Sequence, residues 1–160
     1  MTASMHATPK PSSVSPIDSH LGYWLRLVSN DVSHAFRLKV ESRGVTVAEW
    51  VILRALFDSE STNPSQLADR IGLTRGAVSK LVDRLFAKGM VRVGIERKDR
   101  RFQAVSLTPA GRRLVPQLAA IADDNDAEVF GFLGAERRNE LVRLLREISE
   151  RRGVSGAPVD

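Results

Sequence analysis

Hydrophobic positions recur at intervals of three or four along most of this chain, and they alternate with polar positions over one short part of it. The first such stripe consists of Leu21, Leu25, Val28, Val32, Phe36 and Val40. This spacing predicts a long helix that begins at Asp18 and ends before Gly44, with Asp18 or Ser19 as its cap. Tyr23, Trp24 and Leu27 give it more apolar surface than one stripe requires, so we expect a subunit contact.

Two shorter helices follow, each with its own start signal. In TVAEW, Thr46 and Glu49 fit a capping box, in which each side chain accepts a hydrogen bond from a backbone N–H of the first turn. The apolar positions of this second helix are Val47, Val51, Ile52 and Leu56. In NPSQLADRIG, Asn63 is a cap, Pro64 suits the first helical position and Gly72 ends the helix.

The stretch LTRGAVSKLVDRLFAKG predicts a fourth helix, from a cap at Thr74 to Gly89. Its apolar face is expected to be Val78, Leu81, Val82 and Leu85. Two helices joined by so short a turn are typical of a helix-turn-helix.

Alternating apolar and polar residues in MVRVG and FQAVSL predict a β-hairpin around the tip ERKDRR. Thr108 and Pro109 then begin a helix, with apolar positions at Leu114, Leu118, Ile121 and Val129. Pro116 within it is expected to bend the helix or remove one hydrogen bond. The last helix has its apolar positions at Leu141, Leu144, Leu145 and Ile148.

The element order predicts a mainly α fold with a small β-hairpin wing, that is, a winged helix-turn-helix with a helical dimerisation region. We expect the winged helix at 46–108 and the dimerisation region at 18–45 and 109–152. Pro- and Ser-rich residues 1–17 and the stretch 153–160 predict disordered tails.

Positive charge is concentrated in the middle of the chain. The net charge of the 160 residues is +5, but residues 70–113 contain twelve basic and three acidic residues, a local charge of +9. Such a localised surface indicates a polyanionic partner. The chain has no cysteine and three histidines, which excludes disulfides and argues against a metal site. No apolar run is long enough for a membrane span or a secretion signal, so we expect a cytoplasmic protein.

The helix after Thr74 is the predicted recognition helix, the one that enters the DNA major groove. Its predicted DNA-binding residues are Thr74, Arg75, Gly76, Ser79, Lys80 and Arg84. Arg75 at the N-terminal end can bind guanine O6 and N7 with two hydrogen bonds, and Lys80 and Arg84 suit phosphates. The alternative for each basic residue taken singly is a solvated surface position. Ser65 and Gln66, in the first turn of the preceding helix, are predicted to contact the DNA backbone.

The basic hairpin tip is predicted to be the wing that contacts the minor groove or the phosphates. Its candidate residues are Arg97, Lys98, Arg100 and Arg101. Asp99 either holds a neighbouring arginine through a charge-assisted hydrogen bond or is an Asx-turn residue.

Four stretches together resemble the MarR family of bacterial transcription regulators: TVAEWVILRAL, SQLADRIGLTRGAVSKLVDRLFAKGMVRV, ERKDRR and VSLTPAGRRL. The Asp-x-Arg wing signature corresponds to Asp99 and Arg101, and the resemblance covers roughly residues 20–150. The PadR type fits less well, because its winged helix begins near the start of the chain.

The resemblance implies a homodimer, held by the first and last helices, on a pseudo-palindromic operator in double-stranded DNA. It also implies a repressor that a small, often aromatic effector releases. Tyr23, Trp24, His34 and Trp50 are candidates for the effector pocket, although a core position for Trp50 and a structural role for His34 are the favoured interpretations. Because cysteine is absent, thiol-based peroxide sensing is excluded.

Two other functions remain as alternatives. A winged helix can serve as a protein–protein interaction module without a DNA target, although such modules often lack a basic recognition face. An enzyme is not expected, because the sequence has no nucleophile–base pair, no Gly-rich phosphate loop and no cofactor or metal motif.

Overall fold

The computed structural model describes residues 14–95 and 103–159. Its helices are α1 (Leu21–Glu41), α2 (Val47–Phe57), α3 (Pro64–Ile71), α4 (Arg75–Ala87), α5 (Pro109–Phe130) and α6 (Gly134–Arg152). Its strands are β1 (Val91–Ile95) and β2 (Gln103–Leu107), placed between α4 and α5. Short 3₁₀ turns at Ile17–Ser19 and Gly131–Leu133 precede α1 and α6. The predicted mainly α fold with one hairpin is confirmed.

The predicted caps begin four of these helices. Thr46 and Glu49 form the capping box of α2: Thr46 Oγ1 accepts from the Glu49 N–H at 3.2 Å, and Glu49 Oε2 accepts from the Thr46 N–H at 2.8 Å. Asn63 Oδ1 accepts from the Ser65 N–H at 2.8 Å. The Thr74 and Thr108 hydroxyls cap α4 and α5 in the same way. Local capping chemistry therefore sets these boundaries.

A single hydrophobic core lies under the helix-turn-helix. The predicted buried face of α4 is confirmed, since Val78, Leu81, Val82 and Leu85 are all buried. They pack with residues from α2, α3, the hairpin and α5, namely Ile52, Leu53, Leu56, Leu67, Val105 and Leu118. The core thus holds α4 on one face and leaves its other face exposed.

The hairpin is attached to this core by its inner strand. β1 and β2 are antiparallel, with Val91 opposite Leu107 and Ile95 opposite Gln103. An isolated bridge between Thr62 and Val105 adds a third backbone segment, with N–O distances of 2.9 Å in both directions. Val105 is fully buried, which ties the wing to α2 and α3.

By their internal contacts, residues up to Asp31 and residues from Val32 onward form two compact units. In the first unit, helix α1 begins at Leu21, so the predicted start at Asp18 was wrong by three residues. Ser19 does not cap it; its hydroxyl donates to the Pro16 carbonyl at 2.7 Å within the 3₁₀ turn. Leu21, Trp24, Leu25 and Val28 are exposed along this unit's part of α1.

Helix α6, in the second unit, has no buried residue. Its aliphatic side chains at Val142, Leu144, Leu145 and Ile148 are each 40–49% exposed. A row of aliphatic residues in that state is an unfilled apolar face. Across the described part of the chain, no helix combines the length and the apolar character that a bilayer crossing requires.

Candidate nucleic-acid interface

Helix α4 separates its core residues from its predicted DNA-binding residues. Thr74, Arg75, Gly76, Ser79, Lys80 and Arg84 are all exposed. At 3.6 residues per turn, positions 76, 80 and 83 lie opposite the buried face formed by Val78, Leu81, Val82 and Leu85, and positions 75, 79 and 84 lie at its sides. Arg75, Lys80 and Arg84 form no ion pair with any other residue of 14–95 or 103–159. The exposed face therefore presents cations to solvent.

The first turn of α4 is open to a close approach. An added Cβ at Gly76 would meet no atom within 4 Å, so its backbone faces open space. Thr74 Oγ1 accepts from the Ala77 N–H at 3.1 Å, which leaves other first-turn N–H groups without a partner inside the helix. A helix N-terminus of this kind favours an anion such as a phosphate.

The two predicted backbone contacts of α3 differ in accessibility. Gln66 is exposed, whereas Ser65 is half-buried. The Ser65 backbone N–H already donates to the Asn63 side chain. Gln66 is therefore the more accessible of the two for a phosphate oxygen.

The end of α4 is tied to the start of α2 by a buried acid that the sequence interpretation treated only as a cap. Lys88 Nζ donates to Glu49 Oε2 at 2.7 Å and to the Gly44 carbonyl at 2.9 Å. Glu49 is 1% exposed, and the same Oε2 also accepts from the Thr46 N–H. An acid in a position flanked by core residues was the one clue to this role. Lys88 thus connects the C-terminal end of α4 to the start of α2.

Other basic residues of the positively charged window, among them Arg70, Arg92 and Arg112, also have structural partners. Arg92 Nε donates to the Ser106 hydroxyl across the hairpin at 3.0 Å. The Arg112 guanidinium donates to the Phe57 carbonyl at 3.2 Å and lies 5.4 Å from the centre of its ring. Not all of the local +9 charge is therefore available to a ligand.

The predicted wing contacts Arg97, Lys98, Arg100 and Arg101, and the supporting Asp99, lie outside the described residues. The strands before and after them, β1 and β2, are described. The roles of the five tip residues stay predictions.

Two of the four effector-pocket candidates lie in each unit. In the first unit, Tyr23 and Trp24 stack edge to face with ring centroids 5.2 Å apart, and the Trp24 indole donates to the Asp18 carbonyl at 2.7 Å. In the second unit, the exposed His34 lies 3.1 Å from the Arg37 guanidinium, and the half-buried Trp50 packs against the core. Their roles in an effector pocket stay predictions.

No group of three or more histidine, aspartate or glutamate side chains in residues 14–95 and 103–159 is placed to hold a metal ion. The acidic side chains at the end of α5 have basic partners instead. Asp126 pairs with Arg138, and Glu128 pairs with Lys39, which also donates to the buried Asn125 side chain. These groups join the helices to one another.

An exposed, capped basic helix over a closed core, followed by an attached hairpin, defines a winged helix-turn-helix protein of the DNA-binding type. A family model described as "MarR family" matches residues 43–101. Over this segment, which contains the helix-turn-helix and the first strand of the hairpin, the chain is similar to the MarR family of transcription regulators.

Two relatives are similar over most of the chain. The transcriptional regulator HosA of Escherichia coli O157:H7 is 26% identical over 72% of this chain and 85% of its own. The HTH-type transcriptional regulator SarZ of Staphylococcus haemolyticus is 27% identical over 82% of this chain and 88% of its own. Both are regulators rather than enzymes, in agreement with the expectation that this chain is not an enzyme.

Solved structures show the same fold. One concerns the regulation of DNA binding of Bordetella bronchiseptica BpsR by 6-hydroxynicotinic acid; it is 27% identical, with a TM-score of 0.74 over 86% of this chain and 98% of that one. A mutant MarR of E. coli complexed with operator DNA is 23% identical, with a TM-score of 0.71 over 80% and 92% of the two chains. The second likeness concerns the fold alone.

Proposed function

We propose that this protein is a dimeric repressor that binds a pseudo-palindromic operator through α4 and the hairpin tip. The observation that carries the proposal is that Arg75, Lys80 and Arg84 of α4 are exposed, while the buried face of the same helix packs in the core. Arg75 reads base edges at the N-terminal end of the helix, and Lys80 and Arg84 bind phosphates. The site of action is then the cytoplasm, where the operator lies.

The dimer is the second part of the proposal. The unfilled aliphatic face of α6 supports it, because burying Val142, Leu144, Leu145 and Ile148 would stabilise an assembly by roughly 25 cal/mol for each Å² of apolar area. The exposed Leu21, Leu25 and Val28 of α1 support it in the same way. A twofold pair of recognition helices would then contact half-sites about 34 Å apart.

The third part is release by a small aromatic ligand. The regulation of BpsR by 6-hydroxynicotinic acid supports this ligand class. Within this chain, the half-buried Trp50 is the candidate with both an apolar ring and a position on α2, the helix that packs directly against α4. Tyr23, Trp24 and His34 are further candidates.

Fluorescence anisotropy tests the DNA-binding part of the proposal directly. The purified protein is titrated onto labelled DNA from upstream of its own gene and onto a scrambled fragment, at several salt concentrations. We expect tight binding to the upstream fragment alone, with two chains per site. The logarithm of the association constant should fall by about 0.9 for each phosphate contact per tenfold rise in salt.

The other outcomes have distinct meanings. Equal, weak and salt-sensitive binding to both fragments would indicate a general DNA-binding protein, or an operator elsewhere. No binding to either fragment at low salt would favour a protein–protein interaction module. Addition of 6-hydroxynicotinic acid to the specific complex then tests the ligand class, and a fall in anisotropy is the expected result.

A further inference from the structure

The residues after α6 contact the helix-turn-helix at one defined point. The Ala157 N–H donates to the Ile71 carbonyl at 2.7 Å, and Ala157 packs against the hydrophobic core. Ile71 is the last residue of α3, and the final carbonyls of a helix have no partner within it. The C-terminal segment therefore supplies the hydrogen bond that the end of α3 lacks.

Two glycines make this contact sterically feasible. An added Cβ at Gly72 would lie 2.4 Å from the Gly156 Cα, which shows that the two backbones are in direct contact. Gly72 is also the left-handed C-cap of α3, with φ of +70°. Gly156 has φ of +104°, and a Cβ there would lie 3.1 Å from the Gly72 carbonyl oxygen. Any larger residue at Gly72 would push the segment away.

The path from α6 to this contact is also specified. Gly153 ends α6 with φ of +62°. Its N–H donates to the Glu150 carbonyl, and the Val154 N–H donates to the Ser149 carbonyl at 3.0 Å. This pair of bonds is the Schellman arrangement, in which a left-handed glycine turns the chain off the helix axis. Four residues after Gly153 the chain reaches Ala157.

We propose that residues 153–159, the C-terminal strap, position the recognition helix for DNA binding. The inference rests on the proposed function of α4, and it replaces the expectation from composition that this segment is disordered. Ile71 lies only three residues before Thr74, the cap of α4. Because the turn between them is so short, a contact that fixes the backbone at Ile71 also limits the movement of Arg75. Base recognition needs hydrogen-bond geometry held within about 0.5 Å, which a fixed turn provides. Release of the strap lowers DNA affinity.

The docking itself is tested by amide hydrogen exchange in the full-length protein, followed by NMR. We expect the Ala157 N–H to exchange more slowly than the same amide in an unstructured peptide, by roughly tenfold or more, because exchange requires opening of the contact. Exchange at the unstructured-peptide rate would overturn the proposal, independently of any DNA measurement.

A matched pair of glycine variants tests the helix-turn-helix side. Gly72 follows α3 and Gly89 follows α4, and each glycine has φ of +70°. A Cβ at Gly89, unlike one at Gly72, would meet nothing within 4 Å. Gly72→Ala and Gly89→Ala therefore share the cost of a left-handed alanine, and only Gly72→Ala collides with the strap. We expect Gly72→Ala to lose Ala157 protection and to bind operator roughly three- to tenfold more weakly than Gly89→Ala.

A second pair tests the strap side, with an intact helix-turn-helix. Ala157→Asp places a charge where the side chain packs on the core, and Ser155→Asp adds the same charge at an exposed position. We expect Ala157→Asp to reproduce the affinity loss and Ser155→Asp not to, at equal thermal stability of the core. Ala157→Ser, which retains the N–H and a small side chain, should keep both the exchange protection of residue 157 and the operator affinity of the unchanged protein.

Two failures are distinguishable. If the unchanged protein binds the upstream fragment and Ala157→Asp binds it as tightly as Ser155→Asp, the positioning role of the strap is wrong while the proposed function stands. If the unchanged protein binds no DNA specifically, the proposed function fails, and the role of the strap in DNA binding fails with it. In that case the exchange result would still report whether the contact forms.

Discussion

The winged helix and α6 use apolar residues in opposite ways. In the winged helix, Leu53, Leu67, Val78 and Leu85 are fully buried within one chain. In α6, none of the residues is buried, and its aliphatic row is about half exposed. The apolar side chains of the first region are covered by other residues of the same chain. The second has an apolar face that only another surface can cover, which makes it the candidate for assembly.

The polar residues show the same difference. In the winged helix they join elements distant in sequence, as Lys88 and Glu49 do. In α6 most pairs join residues of that helix, since Glu147 pairs with both Arg143 and Arg151, and Arg138 alone of the pairs named here contacts another helix, at Asp126 of α5. Pairs four residues apart stabilise an isolated helix by only about 0.2–0.5 kcal/mol each. Helix α6 is thus stabilised mainly by pairs within itself.

The largest expected effect separates the two regions by truncating one leucine in each. Leu53→Ala removes a fully buried side chain and should lower the free energy of unfolding by roughly 2–5 kcal/mol. Leu144, 42% exposed, contributes less within one chain. Leu144→Ala should therefore lower stability mainly at protein concentrations where the unchanged protein is dimeric, and much less at concentrations where it is dissociated. Urea unfolding at several protein concentrations measures both.

If Leu144→Ala lowered the free energy of unfolding as much as Leu53→Ala at every protein concentration, the proposed difference between the two regions would be wrong. That result would mean that α6 is covered within a single chain. Sedimentation velocity on the Leu144→Ala variant provides the independent measurement of its association.

The next largest effect concerns DNA binding. Arg75→Ala should weaken binding to the operator by about 1–3 kcal/mol and relax base preference at one position of each half-site, because a bidentate contact to guanine is lost. Arg137→Ala, an exposed arginine of α6, is the matched control and should bind as the unchanged protein does. Anisotropy titrations on the operator and on single-base variants measure both. Unaltered specificity in Arg75→Ala would remove the assignment of α4 as the reader.

A smaller effect concerns the junction of the hairpin and α5. The Thr108 hydroxyl caps α5 by accepting from the Gly111 N–H, and it donates to the Gly89 carbonyl at 2.7 Å. Thr108→Ala should lower the free energy of unfolding by about 1 kcal/mol. Thr108→Ser keeps the hydroxyl cap and should lower it much less. Thermal unfolding of the two variants gives the comparison, and equal losses would show that the methyl group rather than the hydroxyl matters.

Single phosphate contacts should give a smaller effect still. Lys80→Ala should reduce the magnitude of the salt slope by about 0.9, with little change in base preference. A changed base preference with an unchanged slope would assign Lys80 to a base edge instead. Arg137→Ala again supplies the control slope.

The smallest expected effect is a titration on the surface of α6. The Arg143 guanidinium donates to the Glu140 carboxylate, with Nε 2.9 Å from Oε2, and this hydrogen bond holds the pKa of Glu140 below its ordinary range. The depressed pKa means that the contribution of this pair to stability is present above the ordinary glutamate pKa and is lost as pH falls toward the lowered value. In Arg143→Gln, carbon-13 NMR should show the pKa of Glu140 rising toward the ordinary range.

The parts of the molecule that the sequence predicted are those with local causes. The caps at Thr46, Asn63, Thr74 and Thr108 act within three residues, so their residue types alone indicate them. The buried face of α4 follows from helical periodicity. The error at the start of α1 also has a local cause, since the Ser19 hydroxyl bonds to a competing carbonyl.

Contacts between distant positions could not be predicted in this way. Lys88 and Glu49 are 39 residues apart, and nothing in either residue type indicates the other as its partner. The contact of Ala157 with Ile71 spans even more of the chain, from a stretch whose Gly, Ser and Pro content suggests a tail. For the candidate site, sequence therefore predicted which cations face outward, but not what holds α4 in place.

The most direct measurement of the central claim is a hydroxyl-radical footprint of the full-length protein on the upstream DNA fragment. If the protein binds as the proposed dimer, we expect two protected segments on each strand. Their centres should lie about one helical turn of 10–10.5 base pairs apart, as two symmetric recognition helices require. In the Arg75→Ala variant, both segments should lose protection together. Uniform protection along the fragment, or a single protected segment unaffected by Arg75→Ala, would contradict a dimeric reader that uses α4.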